Sequence, residues 1–248
     1  MRDNILFAYI LFFLFALICE IAGTLGGFGS SVLFVPMADF FWDTHFVLGL
    51  TSLLHNFSNT AKIILFRKTI DKKVFIYFGI PSLLLTTVGA YLTTKIDTTT
   101  AQWVLCVFLI LFSVLIFFFP QMKLPPAKGS AIVSGGLAGF MAGLVGTGGA
   151  IRGLGMTAFN LERNFFVGTS AAIDFGVDAS RFVIYSTQGF LKNLDWIYVP
   201  VLLLASVLGS YIGKLLLMKI SDRVFAKIVL VFIFIMGISM LLKLLKVI

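Results

Sequence analysis

Gly23-Thr24-Leu25-Gly26-Gly27-Phe28-Gly29-Ser30-Ser31 interrupts an apolar run of helix length, and a second version, Gly143-Leu144-Val145-Gly146-Thr147-Gly148-Gly149-Ala150, interrupts another. Gly27 aligns with Gly146 and Gly29 with Gly148, both at an offset of 119 residues. Glycine has no Cβ, so it admits left-handed backbone and close approach of another group. In a hydrocarbon layer such a break leaves peptide N–H and C=O groups that must be satisfied by protein or by a bound solute. The two breaks therefore read as the two halves of one binding site.

The same offset extends outward from the glycines. Gly49 matches Gly168, Thr51 matches Ser170 and Pro81 matches Pro200. Three polar pairs inside apolar runs carry more weight: His55 with Asp174, Asn59 with Asp178, and Lys62 with Arg181. A repeat of this size points to a pseudo-two-fold transporter. Its first half covers residues 1–120 and its second 130–248, joined by a linker at 121–129 that holds Pro125-Pro126.

Composition sets the class. Of 248 residues, 59% are hydrophobic and 12% charged, and the mean hydropathy is +1.05. That charge is about half the share of a soluble domain. Apolar runs of spanning length cover about 5–22, 46–66, 74–94, 101–119, 130–146, 165–186, 194–217 and 224–242. The expected fold is an all-α polytopic membrane protein. It has about eight transmembrane helices in two pseudo-symmetric halves, each with a Gly-broken first helix. Val32 to Trp42 and Ile151 to Phe159, which follow the breaks, are too short to span alone and read as half-helices, the first bent at Pro36. The N-terminus lacks the pattern of a cleaved signal. The location implied is the cell (plasma or inner) membrane.

The net charge of +8 sits mostly in short loops, where lysine and arginine set orientation and meet anionic headgroups, so nucleic acid is not a partner. With four crossings per half, the default, these residues divide ten to six and both termini are cytoplasmic. If each glycine break adds a crossing, the halves are inverted. The division becomes eleven to five, with both termini outside.

His55, Asn59 and Lys62 share one helix face by their i, i+4, i+7 spacing, and Asp174, Asp178 and Arg181 repeat it. Charges at mid-bilayer are costly, so the two stripes should face the bundle interior. They read either as a substrate pathway or as interhelical glue, with Asp178 paired to Arg181. Arg152, with N–H groups of the broken helices and the Ser30 and Ser31 hydroxyls, makes an anion site. The alternative is tight packing at the glycines, with Arg152 reaching the interface. The candidate substrate residues are thus Gly27, Gly29, Ser30, Ser31, His55, Asn59, Lys62, Gly146, Gly148, Gly149, Arg152 and Arg181. Glu20, Asp174 and Asp178 are candidates for coupling to a proton or sodium ion, an interfacial Glu20 being the other reading. Cys19 and Cys106 read as packing residues, and two histidines without a cysteine cluster give no metal site. Trp42, Trp103 and Trp196 read as interfacial anchors. No nucleophile–base arrangement, metalloprotease motif or phosphate loop is present, so an intramembrane enzyme is disfavoured and no cofactor is implied.

The pattern resembles the sulfite exporter TauE/SafE family of membrane transporters. A glycine-rich motif opens each half of that family, the first followed by Val-Pro. Here these are Gly27-Phe28-Gly29-Ser30-Ser31 with Val35-Pro36, and Gly146-Thr147-Gly148-Gly149-Ala150. A Gly-Thr-Ser-type start to the next span appears as Gly49-Leu50-Thr51-Ser52 and Gly168-Thr169-Ser170. Ser30, Ser31 and Ala150 replace glycines, Gly155 stands opposite Pro36, and Arg152 enters a normally apolar stretch. These departures bear on substrate more than on fold. The resemblance implies outward, ion-driven transport of a small anion, often sulfite, a sulfonate or a similar sulfur species. A passive anion channel and a non-transporting membrane subunit are the other readings; a homo-oligomer is among the candidate partners.

Overall fold

A computed structural model describes residues 2–26, 29–119, 125–217, 219 and 222–246; the side chains of 2–7, 157, 222–230 and 232 are left aside. Gly27 and residues 121–124 of the expected linker lie outside the described residues.

The described chain is helical, with α1 (Arg2–Gly26), α2 (Ser31–Ala38) and α3 (Thr44–Leu65) first. Then α4 (Lys72–Val74), a π-helical turn (Phe75–Gly79) and α5 (Ile80–Thr93) run on as one rod. After α6 (Thr98–Phe118) come α7 (Lys128–Val145), α8 (Gly149–Thr157), α9 (Arg163–Thr187), α10 (Tyr198–Leu216) and α11 (Asp222–Leu244). Carboxylates mark several starts. Asp43 accepts from the N–H groups of His45 and Phe46, Asp71 from those of Lys73 and Val74, and Asp97 from that of Thr100. The Thr100 bonds hold the exposed Asp97 carboxyl below its ordinary range.

Among the described residues, five stretches are long and apolar enough to cross a membrane: Ala8–Gly26, Lys72–Thr93, Thr98–Phe118, Lys128–Val145 and Tyr198–Leu216. Their outward faces are apolar; Leu84 and Leu111 are each 63% exposed, which suits a lipid surround and not water. Helices α3 and α9 are 22 and 25 residues long but bury polar side chains along one face.

Small residues set the packing. Helix α7 lies on α5 through Gly135, Gly139 and Gly143, which face the backbone of Phe78, Ser82 and Thr86 in turn, so the two run parallel. Thr86 donates to the Gly139 carbonyl (2.9 Å) and Thr93 to that of Leu144 (2.7 Å). In the same way α10 lies parallel on α1, Gly209 facing Leu17 to Ile21 and Gly213 facing Thr24. Lipid supplies no hydrophobic drive between helices, so close backbone approach and such hydrogen bonds hold them.

The short helices fold back. Phe34 of α2 stacks on Phe15 of α1 (4.9 Å between centroids) and meets Phe12 edge-on. A Cβ on Gly23 would overlap Ser30, so only glycine lets the returning chain lie there. Gly155 of α8 faces Ser134 of α7. Both returns thus begin in the bundle interior and end near a rim.

Helices α3 and α9 form the centre and run antiparallel: Gly168 meets Phe66 and Thr69, Asp178 meets Asn59, and Arg181 meets His55. At one end Tyr9 donates to Asp195 (2.6 Å) and His45 stacks on Phe190 (4.4 Å). At the other, Lys214 donates to the Leu65 carbonyl (2.9 Å) and Arg163 to that of Leu217 (2.8 Å). These are the Tyr9 end and the Lys214 end of the bundle.

Candidate functional site

Polar side chains from α1, α3, α8, α9 and the first break meet halfway along the α3–α9 pair. On the α1 side, Glu20 is fully buried. It accepts from Ser30, Ser58 and Lys62, the last at 3.2 Å, and Lys62 also donates to Ser58 (2.6 Å). The interfacial reading of Glu20 therefore does not describe this structure. On the α8 side, Arg152 pairs with Asp174 and donates from Nε to Ser170 (2.8 Å). It is 4% exposed, so it does not reach the interface. Within α9, Arg181 donates from Nε to Asp178 (2.6 Å) and from Nη1 to the Gly146 carbonyl (3.0 Å).

His55 joins the groups. Its Nε2 is 2.8 Å from Ser30 Oγ; its Nδ1 is 3.2 Å from Arg181 Nη2 and 3.4 Å from Asp178 Oδ2. A guanidinium only donates and a carboxylate only accepts. A proton on Nδ1 therefore exchanges one partner for the other. Asn59 completes the row by donating to Asp178 Oδ2 (2.6 Å).

Formal charges balance. Lys62, Arg152 and Arg181 each contact one of Glu20, Asp174 and Asp178. Burial of such pairs is tolerated only when geometry and further hydrogen bonds offset desolvation, and here serines, Asn59 and a carbonyl provide them.

A narrow cleft enters this network, bordered by Gly23, Thr24, Gly29, Asn59, Lys62, Val167, Ser170, Ala171 and Asp174. The room for a water-sized centre is about 10 Å³, roughly one water. An apolar cluster of Phe66, Val167 and Leu217, with Leu25 and Leu65 against it, lies towards the Lys214 end. Towards the Tyr9 end the way is filled by Arg181 and by Tyr185, which stacks on Phe190 (5.0 Å). Leu191 packs on Gly49, where a Cβ would come within 2.8 Å. Beyond that plug is a basin of about 660 Å³ lined by Trp42, His45, Phe190, Lys192 and Tyr198, among others.

The structure brings together Gly29, Ser30, His55, Asn59, Lys62, Arg152 and Arg181 from the expected substrate set, and all three expected coupling carboxylates. Gly29 is left-handed (φ +87°), and a Cβ there would lie 3.4 Å from Arg152 and 3.9 Å from His55. Gly146, also left-handed (φ +78°), ends α7 and offers its carbonyl to Arg181. Gly148 serves packing, because a Cβ would strike the Ala138 carbonyl. Ser31 and Gly149 are the first residues of α2 and α8 and do not border the cleft. Thr24, Ser58 and Ser170 belong to the site but were not singled out from sequence; hydroxyl residues are common in helices, and only Ser170 sat on the repeat offset. His45 is a boundary residue of the basin, and both cysteines are buried and free. Among the described residues no cluster of metal-ligating side chains occurs.

Comparison with curated proteins and with solved structures gives no match. A family model described as Sulfite exporter TauE/SafE matches residues 11–240. The matched stretch holds both glycine breaks, both polar stripes and every residue bordering the cleft, and on that breadth the chain belongs to the sulfite exporter TauE/SafE family.

Proposed function

We propose that this protein is a secondary transporter of a small sulfur-containing oxyanion such as sulfite or a sulfonate, working by alternating access with proton or sodium coupling. One observation carries the reading. Asn59 bonds Asp178, its own counterpart at the 119-residue offset, which fits a pseudo-two-fold axis between them. The His55–Arg181 contact on one side of that axis corresponds to Asp174 and Lys62 on the other. His55 and Arg181 touch, whereas Lys62 and Asp174 border the cleft. The site is shut towards the Tyr9 end and parted towards the Lys214 end, and exchanging the two arrangements gives the opposite access.

The antiparallel α3–α9 pair supports inverted halves, with each glycine break adding a crossing, over the four-crossing default. The parallel pairs α1–α10 and α5–α7 correspond under the same exchange. The eight long helices then cross the membrane, with α2 and α8 as half-helices whose N-termini meet at the site. The Lys214 end, carrying ten of the described basic residues outside the site, is cytoplasmic in the plasma or inner membrane.

An anion entering a charge-balanced site needs compensation. Protonation of Asp174, Asp178 or Glu20 frees a cation to hold it, which couples substrate to proton; a sodium ion beside the carboxylates serves the same electrostatic end. Arg152 and Lys62 hold the anion at the cleft, with Gly29 admitting its close approach.

The test is uptake of labelled sulfite into proteoliposomes of the purified chain. Transport predicts saturable flux, counterflow driven by internal sulfite and loss of both in Arg152→Ala. Flux without counterflow indicates a channel; flux no greater than in protein-free vesicles removes the reading.

A further inference from the structure

Three buried side-chain atoms have no hydrogen-bond partner among the described residues: Thr24 Oγ1, His45 Nε2 and Thr147 Oγ1. Only Thr24 borders the cleft, and it is fully buried. It also departs from its peers. The helical threonines Thr51, Thr60, Thr86 and Thr93 each donate to the carbonyl four residues back, whereas Thr24 does not. Nor does packing leave its rotamer free. A Cβ on Gly213 would lie 2.6 Å from Thr24 Cβ and 2.8 Å from Cγ2, so glycine there makes room for the methyl group. The hydroxyl is thereby held in place without a partner.

A buried hydroxyl with nothing to bond costs stability, and one kept at a binding site is paired when the ligand arrives. We infer that Thr24 is a substrate-binding residue, whose hydroxyl donates to an oxygen of an oxyanion once the cleft, which in this state has room for about one water, widens around that anion beside Lys62. This rests on the transporter reading above and adds a residue to its site. Lys62 uses two of its three N–H donors on Glu20 and Ser58, which leaves one for the same ligand. The pair favours ligands with several acceptor oxygens over halides, which offer one centre to both donors.

Thr24→Val and Thr24→Ser in the full chain test this. Valine keeps the shape and deletes the hydroxyl. In detergent without added anion, Thr24→Val should unfold at the same temperature as wild type or higher, since an unpaired group is removed. Its affinity for sulfite, from concentration-dependent thermal shift, should fall roughly 10- to 100-fold, the loss expected for a hydrogen bond to a charged group. Thr24→Ser should bind within a few-fold of wild type. The opposite signs of the two valine effects exclude a purely structural role. Unchanged sulfite affinity in Thr24→Val, or a lowered unfolding temperature without anion, overturns the assignment of Thr24 while the transporter reading stands. A wild type that binds neither sulfite nor thiosulfate overturns both.

Discussion

Arg181 shows how one buried side chain ties local chemistry to the site. It reaches Asp178 one turn back and the Gly146 carbonyl of another helix, and it lies against His55. Removing it leaves Asp178 buried without its cation, a loss of about 3–5 kcal/mol for a broken buried pair. Arg181→Ala should therefore lower the unfolding temperature strongly. The double variant Arg181→Ala/Asp178→Asn should recover much of that stability without recovering sulfite flux. Recovery of flux in the double variant would mean that the pair is structural only. Spacing made the Asp178–Arg181 pair readable in sequence. The partners of Glu20 and Arg152 were not, because they come from other helices at separations of 10 to 42 residues.

At the scale of elements, the repeat-related glycines Gly49 and Gly168 each seat the loop that follows the other central helix. Gly49 receives Leu191 at the Tyr9 end; Gly168 receives Thr69, whose carbonyl would lie 2.6 Å from an added Cβ. The second loop is fastened further, since Thr69 donates to the Asn164 carbonyl (3.0 Å) and Thr169 accepts from the Asp71 N–H (2.8 Å). If the seating of these loops sets how the central helices move during transport, a methyl group at either glycine disturbs that movement. Gly168→Ala forces backbone to move, at about 1–3 kcal/mol for overpacking, whereas at Gly49 a leucine side chain can rotate away. Sulfite flux should fall more in Gly168→Ala than in Gly49→Ala, with binding retained in both. Equal, undiminished flux would show that the loops do not set that movement. The helix bounds themselves were legible to within a few residues, because long apolar runs between polar breaks admit little else in lipid. Which rods are neighbours was not, since the stripe Gly135, Gly139, Gly143 names a close contact without naming α5 as its partner.

For the whole molecule, the proposed inverted arrangement predicts an orientation. Single cysteines at Lys192 and Lys72, in chains with Cys19 and Cys106 replaced, should label differently with an impermeant thiol reagent on intact cells. Position 192 should react from outside and position 72 only after permeabilisation. The reverse pattern would invert the assignment, and labelling of both from outside would refute the crossing number.

Sequence by itself determined that the protein is a helical membrane protein, where its long helices begin and end, which face of α3 and α9 is polar, and to which family it belongs. These follow from local quantities: hydropathy over a helix length, spacing along a turn and glycines at a fixed offset. Only the tertiary structure decided that α3 and α9 run antiparallel, that every buried cation in the site already has a carboxylate, and that Thr24 borders the cleft without a partner. The lysine and arginine distribution fitted both directions of the second half, because loop charge depends on how many times the broken helices cross. Pairing and vacancy depend on distances between helices, and those are fixed by where small residues let backbones approach.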